Sequence, residues 1–113
     1  MQLVIKGTRI VLAEAERDYV DKKIFSLNKL LTKAITVRVE LEKTTNHHKK
    51  GEIFRAEVNV DLPPKQVLRA EAFGSSLTEA VDRMQNEIKL ELIKNKDKQI
   101  SKDKGRVGKQ RLK

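Results

Sequence analysis

The residues best suited to chemistry in this sequence are lysines and arginines that gather towards its C-terminal end. Residues 76–98 read SLTEAVDRMQNEIKLELIKNKDK, and their apolar residues recur at steps of three and four, which is typical of a helix with one buried face. Successive residues lie about 100° apart around such a helix, so its basic residues fall on two flanks of the buried stripe. One flank carries Arg83, Lys94 and Lys98, and the other carries Lys89 and Lys96. Cationic side chains left in solvent bind phosphate groups, so the predicted ligand of this helix is a polyanion.

The overall charge supports a polyanionic ligand. The 113 residues (13.0 kDa) include 25 Lys and Arg against 16 Asp and Glu, a net charge of +9 with a pI near 9.9, and this balance is typical of proteins that bind nucleic acid. The basic residues of the tail, residues 99–113, are Lys102, Lys104, Arg106, Lys109, Arg111 and Lys113. Set against Asp103 they give the tail +5, which leaves +4 for the rest of the chain. Because the tail is highly charged and holds two glycines, we expect it to be disordered and to add electrostatic contacts.

The other titratable residues suggest neither a catalytic nor a metal-binding arrangement. His47 and His48 stand in a polar stretch with no carboxylate or cysteine at metal-ligand spacing, and a catalytic base needs a positioned partner and a pocket. Carboxylates on the predicted strands share a face with arginines, which favours pairing between neighbouring strands. We therefore predict no enzyme activity, no metal and no cofactor. The absence of cysteine, of a membrane-length apolar run and of a signal-peptide pattern favours a soluble cytoplasmic protein.

The basic residues have to be held by a fold whose elements can be inferred from the apolar spacing. Alternation of apolar and polar residues predicts strands at residues 2–6, 35–43, 52–62 and 66–73, and helical spacing predicts helices at residues 13–31 and 76–98. Pro63 and Pro64 mark the turn before the last strand. Ser76 and Glu79 have the spacing of a capping box at the start of the second helix.

The predicted order β-α-β-β-β-α defines an α+β fold. A crossover through the first helix makes the first two strands parallel, and short loops make the last three strands antiparallel. Each strand is apolar on one face only, so both helices should pack on that face of a four-stranded mixed sheet. Residues 1–98 then form one domain, followed by the tail. Lys22 and Lys23 lie on the first helix and are expected to add to the basic surface of the domain.

Several stretches of the chain, taken together, point to a family. They are the opening MQLVIKG, the first-helix stretch EAERDYVDKKIFSLNKL and the second-helix stretch AVDRMQNEIKLELIKNKDK, in the element order above. From Met1 to about Lys98 the chain resembles the ribosome hibernation promoting factor family, also called the ribosome-associated inhibitor or sigma-54 modulation family. The resemblance implies a fold similar to a double-stranded RNA-binding domain with one added strand. It also implies the short form of the family, since nothing after Lys98 would fold into a further domain.

The same resemblance implies a function on the ribosome. Members bind the small ribosomal subunit, alone or within the intact ribosome, at 16S rRNA in the channel for mRNA and tRNA, and they inhibit translation under stress or in stationary phase. The family's basic signature falls on Lys94, Lys96 and Lys98, and its first-helix lysine falls on Lys23. Relatives commonly carry a lysine and an arginine where this chain has Glu87 and Leu90, and an aromatic residue where it has Thr78.

The expected contacts follow from charge and resemblance together. The candidate rRNA-binding residues are Lys22, Lys23, Arg83, Lys89, Lys94, Lys96 and Lys98, with the basic residues of the tail in addition. A separate ribosome modulation factor is a further expected partner, no membrane partner is expected, and the free chain is expected to be a monomer. Two alternatives stay open: a general double-stranded RNA-binding module without ribosome specificity, and a basic protein that binds a protein partner.

Overall fold

Four strands and two helices, in the order β-α-β-β-β-α, make up the computed structural model of the chain. The structure describes the backbone of residues 1–44 and 53–111 and the side chains of residues 1–44 and 53–96. The elements are β1 (Gln2–Thr8), α1 (Glu14–Phe25), a 3₁₀ turn (Asn28–Leu30), β2 (Thr36–Lys43), β3 (Phe54–Leu62), β4 (Gln66–Gly74) and α2 (Leu77–Arg111). The predicted element order and the α+β class are therefore confirmed.

The strands form one sheet in the order β1-β2-β3-β4. β1 runs parallel to β2, and β2, β3 and β4 are antiparallel neighbours. A shift of one residue in this register would turn a whole strand's side chains to the wrong face, so the alternation of apolar and polar residues fixes the pairing. The apolar face is covered by the helices, with α2 packed on β3 and β4 and in contact with α1. The opposite face of the sheet, which we call the outer face, is polar.

The core lies between the helices and the apolar face of the sheet. Val37, Leu41 and Val58 of the sheet are completely buried there, and Val20 and Ile24 of α1 face them. The α2 residues that complete the core are Ala80, Val81, Met84, Ile88 and Leu92. These α2 residues belong to the apolar stripe predicted from the spacing, and the burial of the stripe determines which sides of α2 remain in solvent.

The start of α2 is fixed by its caps and by a glycine. The hydroxyl of Ser76 accepts a hydrogen bond from the backbone N–H of Glu79 at 3.1 Å, as the capping box predicts. The Glu79 carboxylate accepts in return from the N–H of Ser75 at 2.7 Å, one residue before the predicted donor. At Gly74 a Cβ atom would lie 2.7 Å from the backbone nitrogen of Ala80, so the close approach of α2 to the end of β4 requires a residue without a side chain.

The first helix and the second strand differ from their predicted bounds. α1 ends at Phe25 rather than at residue 31, because the Ser26 hydroxyl donates to the Lys23 carbonyl at 2.7 Å and the chain then tightens into the 3₁₀ turn. Leu27 and Leu31 are nevertheless buried as predicted. The strand predicted from residue 35 begins at Thr36, so Ile35 precedes β2, and it is 56% exposed.

The second helix is longer than predicted. It continues beyond Lys98 to Arg111, through most of the stretch that the composition marked as a disordered tail. The tail contains no proline and is rich in lysine, arginine and glutamine, which are good helix formers, and its glycines lower helix propensity without ending the helix. The division of the chain into residues 1–98 and 99–113 stays a prediction.

The hairpin between β2 and β3 is described up to its closing residues. The backbone N–H and the hydroxyl of Thr44 both donate to the Ile53 carbonyl, at 2.7 and 2.8 Å. His47 and His48 lie outside the described residues. In the part of the chain that is described, no helix has an apolar stretch of the length and composition needed to cross a bilayer.

Candidate nucleic-acid interface

The outer face of the sheet carries charged groups that pair with one another. Arg55, at its centre, lies 3.1 Å from Glu42, 2.6 Å from Glu57 and 3.7 Å from Glu40, and it also pairs with Glu71. Other outer-face or adjoining pairs are Arg69 with Glu57, Arg38 with Asp61 at 2.7 Å, and Arg9 with Glu42 at 3.1 Å. The predicted pairing between neighbouring strands is confirmed, and the arginines of this face are engaged by carboxylates.

Burial and pairing act in opposite directions on the pKa values of this network. Burial alone would raise the pKa of Glu57, but the hydrogen bonds from Arg69 and Arg55 outweigh it and lower that pKa. Burial alone would lower the pKa of Arg55, but its hydrogen bonds to Glu71 and Glu57 raise it. The outer face is thus a set of satisfied ion pairs, with little net charge to offer an anionic ligand.

A polar bridge joins the two helices on the other side of the molecule. The Tyr19 hydroxyl donates to the Asp82 carboxylate at 2.5 Å, and the Lys23 ammonium lies 3.2 Å from the same carboxylate and 5.4 Å from the centre of the Tyr19 ring. One turn further along α2, the Gln85 amide donates to the Lys23 carbonyl and to the Ser26 hydroxyl, at 3.2 and 2.6 Å. These bonds fix the relative position of α1 and α2.

The bridge also sets the protonation of its members. The hydrogen bond from Tyr19, followed by that from Lys23, lowers the pKa of Asp82. The hydrogen bond to Asp82 raises the pKa of Lys23 and, in the same way, that of Tyr19. All three groups therefore keep their usual charge states near neutral pH, and Lys23 has an anionic partner within the protein.

Beside this bridge, α1 and α2 present lysines of a different kind. Lys22, Lys89 and Lys96 are exposed, and none of them forms an ion pair or hydrogen bond with any residue whose side chain is described. Lys89 lies one turn beyond Gln85, and Lys96 two turns further, so both are on the side of α2 that faces α1. We call these three residues the free lysines.

Lys29, in the 3₁₀ turn, is also exposed and has no ion pair or hydrogen bond with a residue whose side chain is described. It was not among the predicted rRNA-binding residues, although it lies within the predicted first helix, away from its apolar stripe.

The other flank of α2 lies beside β4. The Arg83 guanidinium donates to the Phe73 carbonyl at 2.8 Å and to the Glu79 carboxylate at 3.0 Å, so it is held against the sheet edge. Lys94 is on the same flank, 76% exposed and 4.0 Å from Glu91, a distance at which the pair is weak. The two flanks predicted from the helical spacing therefore lie on opposite sides of α2, and Arg83 is not brought together with the free lysines.

The remaining candidate residues follow along the same helix. Lys98, Lys102, Lys104, Arg106, Lys109 and Arg111 belong to the helical backbone of α2, while their side chains, and Lys113 as a whole, lie outside the described residues. The Gln66 amide, at the start of β4, donates to the Asn95 side chain of α2 at 2.8 Å. Because α2 begins beside the end of β4 and has reached the start of that strand at Asn95, the helix after Asn95 extends beyond the sheet.

A shallow cleft opens between the first turns of the two helices. Its volume is about 210 Å³, and it is lined by Ala15, Glu16, Tyr19, Leu77, Thr78 and Val81. Its one carboxylate, Glu16, already accepts from the backbone N–H of Ala13 at 2.8 Å. Among the residues described, no group of His, Cys, Asp and Glu could hold a metal ion.

Comparison with known proteins identifies relatives of this fold. The family model described as sigma 54 modulation protein / S30EA ribosomal protein matches residues 3–100. A ribosomal subunit interface protein from Coxiella burnetii has a similar structure, with a TM-score of 0.73, 18% sequence identity, and coverage of 86% of this chain and 99% of that one. The N-terminal domain of Protein Y from Thermus thermophilus is similar with a TM-score of 0.63, 28% identity, and coverage of 80% and 91%.

These findings agree with the features read from the sequence. The family match includes β1 from residue 3, the other three strands, α1, and α2 as far as residue 100, and the Coxiella burnetii protein shares the α+β fold. The resemblance to ribosome hibernation promoting factors is therefore confirmed, and the chain belongs to the sigma 54 modulation protein / S30EA ribosomal protein family.

Proposed function

We propose that this chain is a ribosome hibernation factor. It binds the small ribosomal subunit at 16S rRNA, in the channel that mRNA and tRNA otherwise occupy, and so inhibits translation under stress or in stationary phase. The observation that carries the proposal is the distribution of charge over the molecule. The arginines of the outer face are paired with carboxylates, whereas the free lysines on the helices have no anionic partner in the described part of the chain. Membership of the family supports the proposal that the anionic partner of these lysines is ribosomal RNA.

Binding of this kind is electrostatic and requires no bond to be made or broken. Each lysine that contacts a phosphate releases condensed counterions, so affinity falls with salt, with a slope of about 0.7 to 0.9 per contact on a logarithmic scale. The free lysines supply the main contacts. Lys23, Arg83 and Lys94 already have partners in the protein and add less, while Lys98 and the basic residues of the tail extend the attraction along the axis of α2. Inhibition then follows from occupancy, because bound protein and tRNA need the same space.

The proposal includes the setting in which the protein acts. It works in the cytoplasm, on the small subunit alone or within the intact ribosome, and a separate ribosome modulation factor is a further proposed partner. The free protein is a monomer. No enzyme activity is proposed. In the cleft between the helices, Glu16 accepts from the backbone N–H of Ala13 and the Tyr19 hydroxyl donates to Asp82.

Two triple variants of equal charge test the proposal. Lys22→Gln, Lys89→Gln and Lys96→Gln together remove the free lysines. Lys6→Gln, Lys43→Gln and Lys65→Gln together remove three exposed lysines of the strands and turns. Binding to purified small subunits is measured by co-sedimentation over a range of salt concentrations. The first variant should lose most of its affinity and lower the salt slope by about 2 to 3, while the second should bind almost as the native chain does.

Equal losses in the two variants would reject the assignment of the interface to the helices. Unchanged binding by the first variant would reject the free lysines as its basis. Ribosomes already filled with mRNA and tRNA should exclude the protein, since the proposed site is the channel itself. Equally tight binding to a plain RNA duplex would favour the alternative, a general double-stranded RNA-binding module.

A further inference from the structure

The solvent-facing side of α2 carries two aliphatic side chains that the core does not use. Leu90 is 56% exposed and Ile93 is 37% exposed, and neither belongs to the buried cluster or to the partly buried residues that pack against it. Because Ile88 and Leu92 already supply the buried stripe at this level of the helix, Leu90 and Ile93 are not needed to hold α2 on the sheet.

The position of this pair relates it to the basic residues. With successive residues about 100° apart, Leu90 and Ile93 fall between the two flanks of α2. Lys89 and Lys96 lie on the side towards α1, and Lys94 lies on the side towards β4. We call Leu90 and Ile93 the apolar seam. A ligand drawn in by the lysines on either side would come to rest over the seam.

The chemistry of RNA indicates what such a surface would accept. In a regular RNA duplex the base faces are stacked, the major groove is deep and narrow, and the minor groove presents hydroxyl groups and base edges. Unpaired nucleotides, by contrast, expose the apolar faces of their bases next to their phosphates. Single-strand-binding proteins stack those faces on aromatic side chains between basic residues, and other nucleic-acid-binding proteins pack leucine or isoleucine against unstacked bases. The combination of an apolar centre with cationic flanks therefore fits unpaired nucleotides better than a duplex.

We propose that the apolar seam packs against the faces of unpaired nucleobases in the RNA whose phosphates are bound by the lysines of α2. This inference rests on the proposed function and specifies its ligand as RNA with unstacked nucleotides. It assigns separate tasks to neighbouring residues of one helix: the lysines provide attraction that depends on salt, and the seam provides contact that does not.

The test compares a seam variant with a lysine variant. Leu90→Gln with Ile93→Gln removes the aliphatic surface at exposed positions and keeps the charge, and Lys89→Gln with Lys96→Gln removes the charge and keeps the seam. Val67→Thr is the matched control, since Val67 is an equally exposed aliphatic residue, at 54%, on the outer face. Affinities are measured for purified small subunits, for protein-free 16S rRNA and for a plain RNA duplex, each at several salt concentrations.

The seam variant should bind small subunits and 16S rRNA about tenfold more weakly at every salt concentration, as expected when about half of two aliphatic side chains is no longer buried. Its salt slope and its affinity for the duplex should be unchanged. The lysine variant should instead lower the salt slope by about 1.5 to 2, and Val67→Thr should change neither quantity.

Three results would overturn the inference. In the first the seam variant binds every RNA within twofold of the native chain, and in the second it loses duplex binding as strongly as binding to 16S rRNA. A loss on small subunits without a loss on 16S rRNA would mean that the seam contacts a ribosomal protein. A native chain that bound neither small subunits nor 16S rRNA would reject the proposed function itself, a result distinct from these three.

Discussion

Lys22 and Lys23 are neighbours on α1, yet only Lys23 has a charged partner in the described structure. Its ammonium shares the Asp82 carboxylate with the Tyr19 hydroxyl, whereas Lys22 is exposed and unpaired among the described residues. A lysine held by an internal carboxylate has to leave it, or share it, to bind a phosphate. Two adjacent lysines can therefore differ in how much they contribute to ligand binding and how much they contribute to the stability of the fold.

This difference predicts opposite results for two matched substitutions. Lys23→Gln should lower the free energy of unfolding by about 0.2 to 1 kcal/mol, the usual range for an exposed ion pair, and weaken binding to small subunits only slightly. Lys22→Gln should leave stability unchanged and weaken binding more. Urea unfolding and co-sedimentation measure the two quantities. A larger loss of binding in Lys23→Gln than in Lys22→Gln would show that Lys23 itself contacts the RNA.

On the outer face a single arginine offsets the repulsion among several neighbouring carboxylates. Glu40, Glu57 and Glu71 are directly opposite one another across β2, β3 and β4, an arrangement that is unfavourable for like charges. Arg55 projects beside this row and pairs with all three. The sequence predicted that carboxylates and arginines would pair on this face. It could not show that one arginine would serve several carboxylates, because that depends on the register between strands distant in the sequence.

The lowered pKa of Glu57 predicts an acid-dependent contribution to stability. A carboxyl group whose pKa is lower in the folded chain than its usual value of 4.5 stabilises the fold above that value, and the contribution is lost as the pH falls through the lowered pKa. Glu57→Gln should therefore cost about 1 to 2 kcal/mol at pH 7, and the difference from the native chain should shrink steadily below pH 4.5. Thermal unfolding across this pH range measures it. The matched control is Glu87→Gln, at an exposed position of α2, which should change the stability little. A loss of stability in Glu57→Gln that persisted in acid would contradict the explanation.

At the scale of elements, α2 shows what periodicity in a sequence can and cannot predict. Its buried stripe and its Ser76 cap were predicted because both depend on residues close together in the chain. The end of α1 was predicted wrongly, because Leu27 and Leu31 continue a helical spacing that the 3₁₀ turn also satisfies. The apolar seam was missed as well. Spacing identifies the residues that the core needs. Leu90 was noted in the sequence only as a departure from the family's pattern, and its exposure beside Ile93 became evident only from the structure.

The close approach of α2 to β4 gives a prediction about Gly74. A Cβ atom at this position would lie 2.7 Å from the Ala80 nitrogen and 3.0 Å from the Glu79 Cβ atom, and backbone cannot move aside as a flexible side chain can. Gly74→Ala should therefore push the first turn of α2 outwards and lower the free energy of unfolding by about 1 to 3 kcal/mol. Urea unfolding measures the change. The control is Thr78→Ala, an exposed position in the same turn, and equal stability of the two variants would show that the turn accommodates the added methyl group.

At the scale of the whole molecule, the two layers have different electrostatic roles. The arginines of the outer face pair with carboxylates, whereas the free lysines of the helices have no ionic partner among the residues whose side chains are described. An arginine covers one carbonyl on each edge of the sheet: Arg17 donates to the Ile5 carbonyl of β1 at 3.4 Å, and Arg83 donates to the Phe73 carbonyl of β4 at 2.8 Å. A covered carbonyl on each edge strand makes that edge a poorer template for pairing with a second chain, which is consistent with the proposal that the free protein is a monomer.

The separation of roles predicts how the molecule is oriented on its ligand. The chain contains no cysteine, so a single introduced thiol reports on one place. Asn86→Cys puts a thiol on the exposed side of α2, and Val67→Cys puts one on the outer face, where the native side chain is 54% exposed. Alkylation by a maleimide, in the presence of excess small subunits, should be slowed several-fold at residue 86, because the proposed interface places the helices against the RNA. It should be nearly unchanged at residue 67. Both thiols should react rapidly in the free protein. Protection at residue 67 with free reaction at residue 86 would mean that the sheet meets the ribosome, and the free lysines would then lose their assigned role.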